Sequence, residues 1–221
     1  MKNKLFPTIF AIIFFAFSNA IAQTPTLVPQ DDIQLWNDVQ LNVPLAKKVD
    51  FWTSATIRFG KNVSRFNEGR YAIGFIYHPT KTWSFQPFYW SIKARDSRGR
   101  FREEHRFNLR IAYKFPIKTV GLSHRSILEY RIRNTGNSWR YRPSLTFEKD
   151  LPKQFKAKFY VTEEPFYDST LKKFSRNRVT VGITKTLSKQ LSLDIFYMRQ
   201  NDGNSRPGDL NVIGTSWKIK L

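Results

Sequence analysis

The strongest constraint in this chain is a two-residue period. Residues 103–115 read EEHRFNLRIAYKF. Phe107, Leu109, Ile111, Tyr113 and Phe115 fall on one parity, and Arg106, Asn108, Arg110, Ala112 and Lys114 on the other. A β-strand sends successive side chains to opposite faces, so a strand here is apolar on one side and cationic on the other. Two architectures accept that pattern. A soluble sheet buries the apolar face and wets the charged one. A transmembrane barrel turns the apolar face to lipid and the charged one to its lumen.

The same alternation runs through residues 32–45, 49–59, 68–78, 83–95, 121–133, 139–148, 155–164, 174–185 and 190–200, and through a last strand ending at Leu221. No stretch of useful length shows a helical period. In 83–95 the phase reads as shifting near Pro87, which a bulge would explain. That reading turns Lys93 and Arg95 to the charged face. The count comes to eleven. Single-chain bacterial barrels use even numbers, so either 32–45 is not a full strand or one strand has been merged or split. The expectation is an all-β, antiparallel transmembrane outer-membrane β-barrel of ten to twelve strands.

The N-terminal stretch of the chain and its composition favour the barrel. Lys2 and Lys4 precede an apolar run from Leu5 to Phe17, and Ala20 and Ala22 form an A-x-A cleavage pattern. Residues 1–22 therefore read as a signal peptide, 23–31 as an N-terminal segment and 32–221 as the barrel. There is no cysteine, which removes disulfides, thiol nucleophiles, thiolate metal sites and a lipoprotein anchor. Beyond the leader no apolar run is long enough for a transmembrane helix. Aromatic residues make up 16% of the chain although it is polar on average, as expected when lumen residues mask the apolar face. The formal net charge is +20, which calls for anionic partners. Export leaves outer-membrane lipid, lipopolysaccharide and small anionic solutes, and sets nucleic acid aside.

The connections read as two alternating sets. PLAKK, PTKT, PIKTV, KDLPKQ and TLSKQ are short; GKNVSRFNE, DSRGR, NTGNS, PFYDSTLKK and NDGNSRPGD are mostly longer and more polar. Short turns face the periplasm in bacterial barrels and longer loops face outward. Aromatics then sort by depth. Tyr77, Trp83, Phe85, Tyr113, Phe115, Phe147, Phe155 and Trp217 fall near one rim, and Phe59, Tyr71, Phe101, Tyr130, Trp139, Tyr141 and Tyr197 near the other. Such girdles belong to membrane barrels, so the apolar side of 103–115 is expected to face lipid.

The succession RFNLRIAYKF, SHRSILEYRIR, WRYRPSLTFEKDL and TEEPFYDS…FSRNRVTVGITKTL resembles the DUF2490 family of outer-membrane proteins, whose function is uncharacterised. The resemblance rests on arginine-rich paired strands, Glu-Pro-Phe-Tyr at 164–167 and Asn-Arg at 177–178. It spans most of the chain and implies a barrel. The chain ends in Leu221, where outer-membrane barrels usually end in an aromatic residue.

The candidate site is the lumen. The phase points Arg58, Arg70, Arg106, Arg110, Arg125, Arg131, Arg133, Arg140, Arg142, Arg176 and Arg178 inward, with Glu68, Glu104, Glu129, Glu148 and Glu164 as acidic partners. Two roles fit. A narrow barrel fills its interior with paired side chains, for which the guanidinium fork suits carboxylates. A wet cationic lumen passes or binds small anions. As an alternative, His124 and Ser126 lie two residues apart on the outward face, resembling the H-x-S pair of outer-membrane lipid hydrolases, in which His activates Ser. The outward neighbours Leu122 and Leu128 offer that pair no third polar member. A surface receptor or adhesin is a further alternative. His78 and His105 lie on other strands without metal-ligand spacing, and no cofactor motif is present.

Overall fold

The computed structural model describes residues 31–96, 99–117 and 119–221. The expected leader and residues 23–30 lie outside these described residues. Eleven strands follow one another: β1 Asp31–Ala46, β2 Val49–Gly60, β3 Arg65–Tyr77, β4 Trp83–Arg95, β5 Phe101–Lys114, β6 Gly121–Arg133, β7 Ser138–Asp150, β8 Ala157–Asp168, β9 Lys173–Thr186, β10 Leu191–Asn201 and β11 Asp209–Lys220. A 3-10 turn, Lys153–Phe155, sits between β7 and β8. Each strand pairs with the next in antiparallel fashion, and the sheet closes on itself.

The odd count is genuine. β1 is a full strand, and no strand has been merged or split. With eleven strands, the first and last must point the same way. β1 and β11 pair in parallel from Asp31↔Asp209 to Asn42↔Lys220, which closes the barrel and leaves no free edge.

The end carrying the turns 61–64, 96–100, 134–137, 169–172 and 202–208 is called the upper rim; the other carries 47–48, 78–82, 115–120, 151–156 and 187–190. Because strands run further than the alternation alone indicates, both sets are short. The expected difference in loop length is therefore largely absent.

The facing of the side chains follows the alternation. On β5, Phe107 is 55% exposed while Arg106 is 8% exposed, so the apolar row is the barrel's exterior. Outward aromatics cluster at both ends. Trp83, Tyr113 and Phe115 pack near the lower rim, with Trp83 and Tyr113 ring centres 4.7 Å apart. Tyr130 and Trp139, also 4.7 Å apart, pack near the upper rim with Phe66 and Phe101. An aliphatic band with an aromatic girdle at each end is the exterior of a transmembrane barrel.

β4 departs from the expected phase. Its pairing with β5 runs without a shift from Trp83↔Tyr113 to Arg95↔Phe101, so there is no bulge at Pro87. Trp83, Phe85, Pro87, Tyr89, Ser91, Lys93 and Arg95 all share the outward parity. Phe88, Trp90 and Ile92 point inward and are buried. Pro87 instead interrupts the ladder to β3, which has no partner at Pro87, as expected of a residue without an N–H. Lys93 and Arg95 are thus not lumen residues. Lys93 meets outward Glu103 at 3.6 Å, and Arg95 donates to the Phe66 and Gly99 carbonyls.

The physical reason is that the barrel has an apolar core inside its wall. Trp52, Ala72, Phe88, Trp90, Ile92 and Ile127 form one interior cluster, and Trp36, Met198, Leu210 and Val212 another. Trp52–Phe88 and Phe88–Trp90 meet edge to face, the geometry favoured by ring quadrupoles. Gly74, opposite Phe88, makes room: a Cβ there would lie 2.4 Å from the Pro87 carbonyl oxygen and 2.5 Å from the Phe88 Cβ. Gly214 clears the Phe196 ring in the same way. Gly74→Val should therefore lower the stability of the refolded barrel by about 1–3 kcal/mol through overpacking. The neighbouring outward change Ile73→Val should cost less than about 1.5 kcal/mol. The midpoints of urea unfolding in detergent check both.

Candidate functional site: the arginine lumen

The lumen network is built from two local rules. Residues two apart on a strand share a face, so Glu104 and Arg106, or Glu129 and Arg131, both point inward. Register then brings their neighbours alongside: Arg106↔Arg131, Glu129↔Arg140 and Glu164↔Arg178 are cross-strand pairs. Side chains at such positions lie within reach of one another.

Ion pairs follow one another without a break. Arg125 donates to Glu164 at 2.6 Å, and Arg142 donates to Glu164 at 3.0 Å and to Glu129 at 2.5 Å. Glu129 stands 3.5 Å from Arg106, which donates to Glu104 at 2.9 Å. Arg131 donates to Glu104 at 2.5 Å and reaches Asp168 at 3.4 Å, and Arg140 donates to Asp168 at 3.0 Å. Glu68 is shared by Arg70 and, at 3.3 Å, Arg58. Arg176 is bound by Asp202, 2.7 Å from its Nε. Asp202 lies in the upper turn after β10. Burial pushes its carboxyl up, but Arg176, the Ser205 hydroxyl and the Asn204 amide outweigh that and hold it below the usual range.

The remaining arginines lean on neutral groups. Arg110 donates to Gln86 at 2.8 Å and lies over Phe88 and Trp52. Arg133 donates to Ser138, and Arg178 donates to Gln200 at 2.8 Å with Glu164 4.0 Å away. Two aromatic rings organise the cations. Arg58 stacks on Trp36 at 3.3 Å, with Arg178 at 5.2 Å from the same ring. Arg140, Arg142, Arg176 and Arg178 surround the Phe166 ring at 4.5–5.7 Å. Cation–π contact holds a guanidinium flat while leaving its N–H edge free.

Open space runs along the axis. An upper cavity of about 320 Å³ and a middle one of about 290 Å³ share Trp36, Arg58, Arg70, Arg142 and Arg178 as a neck. The middle cavity and a lower one of about 420 Å³ share Gln40, Trp52, Arg110 and Lys218. A further groove of about 520 Å³ lies at the upper rim between Arg95, Arg102 and Arg133.

All eleven arginines expected in the lumen point into it, and Glu68, Glu104, Glu129 and Glu164 are their partners. Glu148 is not: it sits opposite Gly121 near the lower rim, with no arginine in ion-pair distance among the described residues. Asp168 and Asp202 take its place. Asp168 ends β8 and Asp202 lies in a turn, so neither stands out in the alternation. The stacking roles of Trp36 and Phe166 were equally hidden, because parity can turn a ring inward but does not say which guanidinium lies against it.

The outward pair is also assembled. His124 Nε2 lies 2.9 Å from Ser126 Oγ, and the Tyr141 hydroxyl lies 3.1 Å from the same oxygen. The third polar member, absent along β6, comes from β7, where Tyr141 pairs with Leu128. A second outward pair, Asn177 donating to Glu163 at 3.2 Å, lies across β8 and β9. His105 stacks on Tyr89 and shares a hydrogen bond with its hydroxyl, and His78 stands 3.5 Å from Asp50. No group of three metal-ligating side chains occurs among the described residues.

Glu129 tests the network. It is wholly excluded from solvent and neutralises Arg106 and Arg142. Glu129→Gln should cost about 3–5 kcal/mol, because it leaves buried guanidiniums without their counter-charge. Glu103→Gln, which breaks the exposed pair with Lys93, should cost less than about 1 kcal/mol. Urea midpoints of the two variants should differ accordingly.

Comparison with known proteins agrees with the architecture. The barrel of LpxR from Salmonella typhimurium superposes with a TM-score of 0.50 at 10% identity, covering 82% of this chain and 87% of that one. An anion-selective porin from Comamonas acidovorans gives a TM-score of 0.39 at 13% identity, covering 79% of this chain and 54% of that one. Likeness at this identity concerns the fold. No curated protein sequence matches. A family described as a protein of unknown function, DUF2490, matches residues 33–211, and the chain belongs to that family.

Proposed function

We propose that this barrel resides in a bacterial outer membrane and that its lumen binds and passes small anions. One observation carries the reading: eight inward-facing arginines line the upper cavity, with Glu68 as the one carboxylate among its lining residues. The surplus continues through the neck to Arg110, Arg125 and Lys218 in the middle cavity. Fixed positive charge between low-dielectric walls concentrates anions and repels cations. Guanidinium groups are weakly hydrated, so they exchange water for an anion at little cost. The apolar girdled exterior and the expected export leader support the location. The short upper turns support neither an adhesin nor a large receptor surface.

The test is conductance of the refolded protein in a planar bilayer under a potassium chloride gradient. The narrow neck and the aromatic residues beside it predict small unitary steps with a reversal potential on the anion side. Arg58→Gln and Arg178→Gln should each shift that potential toward zero. Cation preference, or a folded barrel that never conducts, overturns the pathway and leaves the arginines as a structural filling.

A second reading is favoured by the His124–Ser126–Tyr141 contacts. In it, His124 Nε2 takes the Ser126 proton as Oγ attacks an acyl ester carbonyl at the barrel's lipid surface, passes that proton to the departing lysolipid oxygen as the ester C–O bond breaks, and water then cleaves the acyl-enzyme to free the fatty acid. This reading predicts release of fatty acid from phosphatidylethanolamine vesicles by the wild type and none by Ser126→Ala. Absence of release from the wild type removes it.

A further inference from the structure

The upper cavity carries a charge imbalance large enough to specify its ligand. Its eight inward-facing arginines, Arg95 at the rim left aside, draw on six carboxylates: Glu68, Glu104, Glu129, Glu164, Asp168 and Asp202. Arg125, outside the cavity, draws on Glu164 as well. At least three positive charges thus lack a protein counter-charge, in a space closed by the barrel wall. Buried charge of one sign is costly unless it is compensated. Donors are in excess too: the Nε groups of Arg58, Arg140 and Arg142 are buried without an acceptor.

The cations at the bottom of the cavity are held in place before any ligand arrives. Trp36 holds Arg58 and Arg178 by their faces, and Phe166 holds Arg142 and Arg178. Trp36 is itself fixed, since its indole N–H donates to Gln34 at 2.8 Å and Gln34 donates to Asp32 at 2.8 Å. Asp32 in turn accepts from the backbone amides of Lys61 and Asn62 in the turn after β2. Guanidiniums fixed by their faces offer their N–H edges, the geometry that pairs with oxyanions. A halide brings one charge and no directional acceptors. A tetrahedral oxyanion brings two charges and several acceptor oxygens, and a volume of 320 Å³ holds it together with a few waters.

We infer that the upper cavity, from Trp36 and Phe166 upward, is a binding site for a phosphate group, carried either by inorganic phosphate or by a phosphomonoester headgroup. The site rests on the anion-binding part of the function proposed above and adds the class of anion. Arg58, Arg142 and Arg178 are its principal donors, and Trp36 is its floor.

Intrinsic tryptophan fluorescence reads it out, because a phosphate on Arg58 and Arg178 changes the field on the Trp36 ring. The full mature barrel is refolded in octyl glucoside, which contains no phosphate, and titrated with inorganic phosphate at constant ionic strength against chloride. The expected result is a saturable change that chloride does not produce. Arg178→Gln should weaken the apparent Kd at least tenfold. Trp36→Phe should abolish the optical change while calorimetry still detects binding. If Arg178→Gln fails to fold, Arg58→Lys keeps the charge but loses the flat stacking, and should also weaken binding. Absence of saturation in the wild type, or unchanged affinity in both arginine variants, overturns the site.

Two vesicle arms separate the sources of phosphate. In phosphatidylcholine vesicles the titration should repeat. If vesicles containing phosphatidic acid pre-empt the response, the natural ligand is a lipid headgroup; if the response is unchanged, it is the free anion. Saturable binding by a barrel that is silent in the bilayer keeps the site and removes the pathway. Selective conductance without saturation does the reverse.

Discussion

The interior of this barrel is governed by the requirement that buried charge be neutralised locally. Glu129 has no contact with solvent and stands between Arg142 and Arg106. From it the alternation of acid and base extends both ways, through Glu164 to Arg125 and through Glu104 and Asp168 to Arg140. These contacts join β5, β6, β7 and β8 across the lumen side of the wall. A network of this kind specifies register, because sliding one strand by a residue would turn every one of its charges into lipid. Its energetic value lies less in what each pair adds than in what an unpaired member would cost.

The arginines are not spread evenly, and the apolar interior explains why. Trp52, Phe88, Trp90 and Ile127 fill one flank, while Trp36, Met198 and Val212 fill another. The cations occupy what space remains and lie against the rings. Arg70 and Arg106 approach Trp90, Arg110 approaches Phe88, and four arginines converge on Phe166. The lumen is therefore neither a wide pore nor a continuous apolar core. It is a stack of small cavities separated by aromatic–guanidinium necks, which favours sites over free flow.

Much of this was legible in the chain. A two-residue period marks strands, and where one face is strongly charged and the other strongly apolar it also marks which way they turn. That is why all eleven lumen arginines could be assigned. The rule failed on β4, where both faces hold aromatics. Tyr89 turns out and Phe88 and Trp90 turn in, and local pattern has no means of choosing between them. Gly74 was the available clue, since a glycine on the inward parity of β3 signals a bulky neighbour across the ladder. Glu148 was misassigned for a different reason. Its parity is right, but partnership depends on depth, and depth follows from the stagger of distant strands. The same holds for Tyr141, which reaches Ser126 only through the pairing of β6 with β7.

The parallel joint between β1 and β11 has a consequence for the termini. Asn37 and Thr215, 178 positions apart, are bonded side by side, so the sheet cannot close until both ends of the chain are present. Because the two strands run the same way, Asp31 opens the barrel at one rim and Leu221 leaves it at the other. A label attached ahead of β1 and one attached after β11 would stand on opposite sides of the bilayer, as no two-fold hairpin count allows. A circular permutant of this protein would accordingly need a connector long enough to run the full height of the wall, where a barrel with an even number of strands needs only a turn.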